Sequence, residues 1–420
     1  MQAIILAAGQ SSRFWPLNRK HKSLLKIMGK PLIVHLLDSL KLGGIKDIII
    51  VQGPSQDISE ELKSYKNPGL KIRYVIQQEA LGMGDALFKT KDLIKGRFIV
   101  LTVEQMDLCD ILKKNKKEII SGKPLVFAEK TDTPELFGIL DLKGNKVLGI
   151  VEKPKKGTEP SDYRATGVYI LEKDFFDFYN RVEKSIYDFE EALTLYAKKE
   201  DLRVLILKQS CSLTLKYPWH LFDYARFLMD KKLKRYISKT AKIDKTAKIA
   251  GDVYIGDNVR IFENSVIKGP CYIGNNSIVG NNVLIREYCN IEANSLIGAS
   301  SEITRTIIQG DIECHSAFMG DSIISQGCKF GFGCVTANVR NDREKIFSNV
   351  KGENIDTKKK SLGLICGNNT RSGVRSYFMP GKMVGNDCMI GPGTPIMENV
   401  LDNTKIFAKY EYVKKQENNG

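Results

Sequence analysis

The chain has 420 residues, 42% hydrophobic and 27% charged, which is enough to bury two or three cores and excludes a disordered or collagen-like polymer. Its formal net charge of +15 suits a solvated lysine-rich surface and phosphorylated small molecules. No nucleic-acid module and no basic stripe interleaved with aromatics is present, so nucleic acid is not an expected partner. The apolar stretches are too short to span a membrane.

In chain order, residues 1–10 carry no basic leader and run straight into a strand and loop, so no signal peptide and a cytoplasmic location are expected. Residues 3–7 read as an apolar strand ending in a loop at Gly9. Residues 31–42 read as a helix with Ile33, Leu36, Leu37 and Leu40 on one face. Residues 47–51, 73–76 and 98–101 are strand candidates, with a helix over 84–94 between the last two. Segments 137–141 and 147–151 flank Lys143-Gly144-Asn145 as a hairpin, and 168–171 and 202–207 add strands. This rhythm predicts an α/β class, a Rossmann-like, mixed but mostly parallel sheet. Residues 218–234 read as a linking helix with proline in its first turn.

From Ile237 to Ile303, twelve aliphatic residues fall on a six-residue beat, among them Ile255, Ile273, Val279 and Ile291. Chance would give this roughly once in ten million starts, and no helix has period six. A small residue stands two positions before most of them, so the pattern describes short strands joined by tight corners and stacked as a solenoid. The beat slips after Ile303 and resumes at Ile312, Phe318, Ile324 and Phe330, then at Phe378, Val384, Ile390 and Ile396. Residues 338–361 are charged and off-beat, and are expected to protrude as a loop. The nine cysteines form no C-x-x-C pair. Cys271, Cys289, Cys328, Cys334 and Cys388 occupy the small-residue slot and are expected to be reduced packing residues. The boundaries are drawn at 1–230, 231–407 and a tail, 408–420.

The first candidate site is Leu6-Ala7-Ala8-Gly9-Gln10-Ser11-Ser12-Arg13, followed by Pro16-Leu17 and Lys22. Small residues after a strand let backbone N–H groups approach an anion. Ser11 and Ser12 add hydroxyls, and Arg13 and Lys22 add fixed positive charge. These residues resemble the N-terminal motif of the sugar-1-phosphate nucleotidylyltransferases, LAAG-x-G-[ST]-R-x-x-P-L with a later Pro-Lys. Ser11 stands where many members have glycine, and His21 where many have proline. Gln77-Gln78-Glu79-Ala80-Leu81-Gly82 is similar to the base-reading segment, and Phe137-Gly138, Glu152-Lys153-Pro154 and Thr166-Gly167 resemble the sugar-binding stretches.

The resemblance implies that a sugar-1-phosphate attacks the α-phosphorus of a nucleoside triphosphate, UTP or dTTP being favoured, and that pyrophosphate leaves. It implies that Arg13 holds the β- and γ-phosphates and Lys22 bridges the α-phosphate and the sugar phosphate. Gln77 and Gly82 would read the base; Gly138, Glu152, Lys153 and Thr166 would form the sugar pocket. Mg²⁺ would lie at Glu104, where the family usually has aspartate; the second ligand position falls near Thr214, and Ala165 replaces a common asparagine. Asp107 and Asp110 are further candidate ligands.

The six-residue beat resembles the left-handed β-helix of acyltransferases, which commonly trimerise. His315-Ser316-Ala317-Phe318-Met319-Gly320-Asp321-Ser322 and Gly331 to Asn338 are similar to two motifs of the acetyltransferase half of the bifunctional N-acetylglucosamine-1-phosphate uridylyltransferase/acetyltransferase and its archaeal relatives. There the histidine is the general base for an amine attacking acetyl-CoA, so His315 takes that role by resemblance, with Asn338 orienting the site. Phe318 replaces a tyrosine, and Ile312 stands where a basic residue is common. Lys345 and Lys358 to Lys360 offer charge to a phosphate. Two other readings compete with the enzyme: a regulatory or scaffold subunit with the same domain pair, and an alcohol-phosphate cytidylyltransferase.

Overall fold

The computed structural model describes residues 1–65, 68–207 and 213–415. It divides into two compact units. The first comprises Met1–Ser11, Lys20–Leu25 and Lys30–Leu215; the second comprises Ser12–Arg19, Lys26–Gly29 and Lys216–Gly420. No described helix is long and apolar enough to cross a membrane.

The first unit is built on nine strands: β1 (Gln2–Ala7), β2 (Asp47–Gln52), β3 (Lys71–Ile76), β4 (Phe98–Thr102), β5 (Leu125–Lys130), β6 (Gly138–Lys143), β7 (Lys146–Glu152), β8 (Tyr163–Leu171) and β9 (Arg203–Ile206). Their order in the sheet is β3-β2-β1-β4-β8-β5-β9-β7-β6. β3, β2, β1 and β4 run parallel, with Leu6 beside both Val51 and Thr102, while β8 is antiparallel to its neighbours β4 and β5. The loops after β1 and β4 therefore leave adjacent points on the carboxyl edge of the sheet, where open α/β sheets bind ligands. Helix α1 (Leu32–Leu42) buries Ile33, Leu36, Leu37 and Leu40, as its spacing predicts. Helix α2 (Asp188–Lys199) buries Phe189, Ala192, Leu193 and Tyr196 against the aromatic cluster of Tyr169, Phe175 and Phe178.

The predicted helix over 84–94 is two pieces, Met83–Phe88 and a single turn Lys91–Leu93. Thr90 breaks it, turning its hydroxyl back to the Leu87 carbonyl at 2.6 Å. The linking segment likewise begins as a turn, Pro218–His220, and becomes helical as α3 (Leu221–Lys232).

The second unit is a left-handed parallel β-helix whose three faces hold eight, nine and eight short strands. The inward residues stack coil on coil: Cys271 lies beside Cys289, and Ile255, Ile273 and Ile291 follow one another on the first face. They form one continuous apolar core. Many corners turn through a residue with positive φ, and asparagine supplies it at 258, 264, 276, 282 and 294, with φ of 57 to 60°. Asparagine tolerates this left-handed conformation better than other residues with a Cβ. The described cysteines are free and buried.

The slip after Ile303 has a structural cause. A strand at Ile307–Ile308 pairs Ile308 with Ile291, seventeen residues back, and Met319 pairs with Ile303, sixteen back. The coils are thus shorter here by one or two residues. Phe318, expected on the inward beat, points outward, and Met319 takes the core position at 1% exposure. The off-beat insertion holds a hairpin, Phe347–Val350 with Glu353–Asp356. Its Ser348 donates to the Gly381 carbonyl and its Ile346 is buried.

Candidate functional site

β1 ends at Ala7 beyond the half-buried Leu6, and Ala8, Gly9 and Gln10 continue to the sheet edge, Gly9 and Gln10 exposed. A Cβ on Gly9 would meet nothing within 4 Å, so this glycine leaves open space rather than packing. Ser11 has φ of 52°. This is the backbone region that glycine enters freely and serine enters at about 1 kcal/mol, which explains why glycine suits this position. Ser11 Oγ accepts from Lys22 N at 3.4 Å, folding the loop back on the turn Lys22–Leu24. Ser12 and Arg13 follow on the turn Ser12–Phe14; Arg13 is exposed and forms no ion pair among the described residues.

His21 opens the next turn. Its Nδ1 accepts from Ser23 N at 3.2 Å and lies 2.7 Å from Ser23 Oγ. Burial beside Lys22 depresses its pKa to about 4, so the ring is neutral at physiological pH and caps the turn as an acceptor.

Lys22 Nζ donates to Glu104 Oε1 at 2.9 Å and to the Leu215 carbonyl at 2.7 Å. Glu104 follows β4 by two residues, and Leu215 adjoins Thr214. Lys22, the metal candidate Glu104 and the segment bearing Thr214 are therefore brought together. Asp107, 6% exposed, stands at the start of the helix Leu108–Lys114, while Asp110 is exposed on that helix. Among the described residues no three metal-ligating side chains cluster. One carboxylate fits Mg²⁺, because that ion commonly takes one or two carboxylates and completes its shell with water and substrate phosphates.

At the end of β3, Gln77 is buried and its Nε2 donates to the Gly82 carbonyl at 3.1 Å and to Asp85 Oδ2 at 2.8 Å. Gly82 has φ of 104°, which a side chain would strain. The two base-reading candidates are thus joined by a hydrogen bond.

The sugar candidates lie on β6, β7 and β8. Gly138 is opposite Glu152, and a Cβ there would come within 2.8 Å of Glu152 Oε2. Lys153 has φ of 47° and holds its Nζ 3.5 Å from Glu152 Oε1 and 5.5 Å from the Tyr187 ring centre. Thr166 is 8% exposed at an irregularity in β8; its hydroxyl donates to the Phe127 carbonyl, and its own carbonyl accepts from Gln105 Nε2. Ala165 lies beside Ala128 of β5.

A residue that sequence reading missed is Glu190 on α2. It lines a cavity of about 660 Å³ with Glu152, Tyr187 and Thr194. Its Oε2 is buried without a hydrogen-bond partner among the described residues, and burial, with Glu152 and Asp188 nearby, raises its pKa to about 7. The only sequence signal was an acidic first turn on an amphipathic helix, which looks the same on a purely structural helix.

On the β-helix, His315 is exposed at the corner that leads into the third face. Asn338 follows that face at Val335–Thr336, and its Nδ2 donates to Asp321 Oδ2 at 2.6 Å. Asp321 is also gripped by Arg305, whose Nε and Nη2 donate at 2.7 and 2.8 Å. His315 precedes the third-face strand Phe318–Gly320 and Asn338 follows the third-face strand Val335–Thr336, so they stand at the entry and the exit of that face. No described hydrogen bond joins them; that of Asn338 goes to Asp321.

The Nucleotidyl transferase family profile matches residues 2–211, and the profile of the bacterial transferase hexapeptide, six repeats, matches residues 252–287. The chain is 37% identical over 420 residues to the "Bifunctional protein GlmU" of Methanococcus maripaludis strain C7, covering 98% of each chain. It is 30% identical to the protein of the same name from Methanocaldococcus jannaschii, covering 98% of this chain and 99% of that one. It is 29% identical to the "Bifunctional sugar-1-phosphate nucleotidylyltransferase/acetyltransferase" of Sulfurisphaera tokodaii, covering 95% and 98%.

Proposed function

Because this chain belongs to the nucleotidyl transferase family that carries a hexapeptide-repeat β-helix, we propose that it joins a nucleoside triphosphate, UTP or dTTP, to a sugar-1-phosphate and releases pyrophosphate. The observation that carries this reading is the convergence of Lys22 Nζ on Glu104 and the Leu215 carbonyl beside the phosphate loop.

A sugar phosphate oxygen forms the new bond to the α-phosphorus as the bond from that phosphorus to the β-phosphate oxygen breaks. The nucleophile is already anionic, so the protein's task is to align it and neutralise charge. The small residues from Ala8 to Ser12 admit backbone donors to the phosphates. Arg13 meets the leaving pyrophosphate, and Lys22 bridges the two reacting phosphates. Gln77 and Gly82 read the base. Glu152, with room left by Gly138, orients the sugar hydroxyls; Lys153 and Thr166 complete its walls. Mg²⁺ at Glu104 would add positive charge to the triphosphate. We place this activity within residues 1–230.

The second activity is N-acetylation of an amino-sugar-1-phosphate on residues 231–407. The amine nitrogen attacks the thioester carbonyl of acetyl-CoA, the carbon–sulfur bond breaks, and His315 takes the proton from nitrogen. Asn338 orients the site. The placing of His315 at the entry and Asn338 at the exit of one face favours a homotrimer in which neighbouring copies each give one of them. The exposed Val335 and Tyr377 on the third face, with Phe332 and Val374 near its entry, suit such a contact. The substrates and products are water-soluble metabolites, in keeping with a cytoplasmic enzyme.

Pyrophosphate release measured with four nucleoside triphosphates against several sugar-1-phosphates and phosphocholine tests the first activity. Turnover with a sugar-1-phosphate, abolished by Lys22→Ala, is the expected result. Turnover with phosphocholine alone, or none with any pair despite retained nucleotide binding, would overturn it.

A further inference from the structure

The run Lys358-Lys359-Lys360 ends the insertion in the second unit, and its Lys359 and Lys360 roof a cavity of about 420 Å³. Its other walls are α3, through Asp223 and Arg226, and the coil corners, through Tyr288, Arg305 and Asp321. Four cations therefore face two carboxylates. The carboxylates are matched: Asp321 by the two-pronged Arg305, and Asp223 by Lys359 Nζ at 3.1 Å. The remaining two cations are not. Arg226 lies over the Tyr288 ring with its guanidinium carbon 4.3 Å from the centre, and neither it nor Lys360 has an ion-pair partner among the described residues. Tyr288 is fixed in turn, since its hydroxyl donates to Asp230 at 2.9 Å.

We propose that this cavity binds a phosphate group carried by a small metabolite. A guanidinium held over an aromatic ring keeps N–H donors for two phosphate oxygens, and the neighbouring ammonium takes a third. The volume suits a ligand of sugar-phosphate size. The site reaches the acetyl-transfer machinery through a single carboxylate: Asp321 is shared between Arg305, which lines the cavity, and Asn338. An anion that draws Arg305 toward itself alters the hold of Asp321 on Asn338. The binding claim stands on the cavity alone; its effect on acetyl transfer rests on the function proposed above.

The test is equilibrium dialysis of the full chain against ³²P-labelled orthophosphate, in an Arg13→Ala/Lys22→Ala background that disables the nucleotide loop. One site per chain is expected, with Kd raised tenfold or more by Arg226→Gln/Lys360→Gln. Lys351→Gln, on the exposed hairpin, should leave Kd unchanged, and equal melting temperatures should show that all variants are folded. Binding that is absent, or indifferent to Arg226 and Lys360, overturns the proposal whatever the acetyl-transfer assay shows. In the wild-type chain, phosphate competing with the amino-sugar phosphate identifies the substrate as the source of the bound group. A changed rate at saturating substrate identifies a separate effector. Either result supports the site.

Discussion

Lys22 Nζ stands 2.9 Å from Glu104 Oε1, so the cation assigned to the reacting phosphates rests on the carboxylate assigned to the metal. Each holds the other in place until substrate arrives. Lys22→Ala removes charge that counts most in the transition state, and should lower kcat/KM for nucleotidyl transfer at least 100-fold, about 2.7 kcal/mol. Glu104→Gln keeps the shape but loses the charge. It should raise the magnesium concentration for half-maximal rate by tenfold or more. Pyrophosphate release followed across a MgCl₂ titration checks both; an unaltered magnesium curve in Glu104→Gln would remove that residue from the ion.

Glu190 gives the first unit a pH dependence of known direction. Buried beside Glu152 and Asp188, it keeps its proton up to about pH 7, whereas an unstructured glutamate loses it near 4.5. Between these values the folded chain binds more protons than the unfolded one, so Glu190's contribution to stability falls as pH rises through this window. Glu190→Gln should abolish that part of the slope and stabilise the fold above pH 7 by up to about 3 kcal/mol. Urea unfolding of both proteins at pH 5 and pH 8 measures this. Parallel behaviour at the two pH values would mean that Glu190 is already ionised in the folded protein.

The β-helix was legible because every coil repeats one instruction: an aliphatic residue inward, a small residue before it, a tight corner after it. The reading failed at Phe318, where coils shortened by two residues hand the core position to Met319. A fixed period cannot register such a deletion. β5 was missed for a different reason. Leu125, Val126, Phe127 and Ala128 are all buried, so no alternation marks them as a strand. In the first site, Lys22 and Glu104 could be picked out by motif, but their contact depends on the adjacency of β1 and β4. Glu190 could not be picked out at all, since its unmatched oxygen is a product of tertiary packing.

Gly138 tests the sugar pocket through space rather than charge. An added Cβ would press on Glu152 Oε2 at 2.8 Å and on Ile150 Cδ1 at the same distance. The carboxylate is the end of a flexible side chain and can turn aside, so Gly138→Ala should fold while displacing Glu152. KM for the sugar-1-phosphate should rise about tenfold, a shift near 1.4 kcal/mol, with KM for the nucleotide unchanged. Equal effects on both substrates would place Glu152 outside the sugar pocket.

His315 and Asn338 make a stronger prediction than either alone. If one copy supplies the base and its neighbour the orienting amide, His315→Ala and Asn338→Ala homotrimers should each lose acetyl transfer by about 100-fold or more. Mixing the two chains under conditions that exchange subunits restores some sites, because an intact His315 from one variant then faces an intact Asn338 from the other. Thiol release from acetyl-CoA with glucosamine-1-phosphate should therefore recover to a sizeable fraction of the wild-type rate on mixing. Recovery must depend on exchange, so covalently cross-linked trimers mixed in the same way should stay inactive. A mixture that remains as slow as its parents would assign both residues to a site within one chain, or to none.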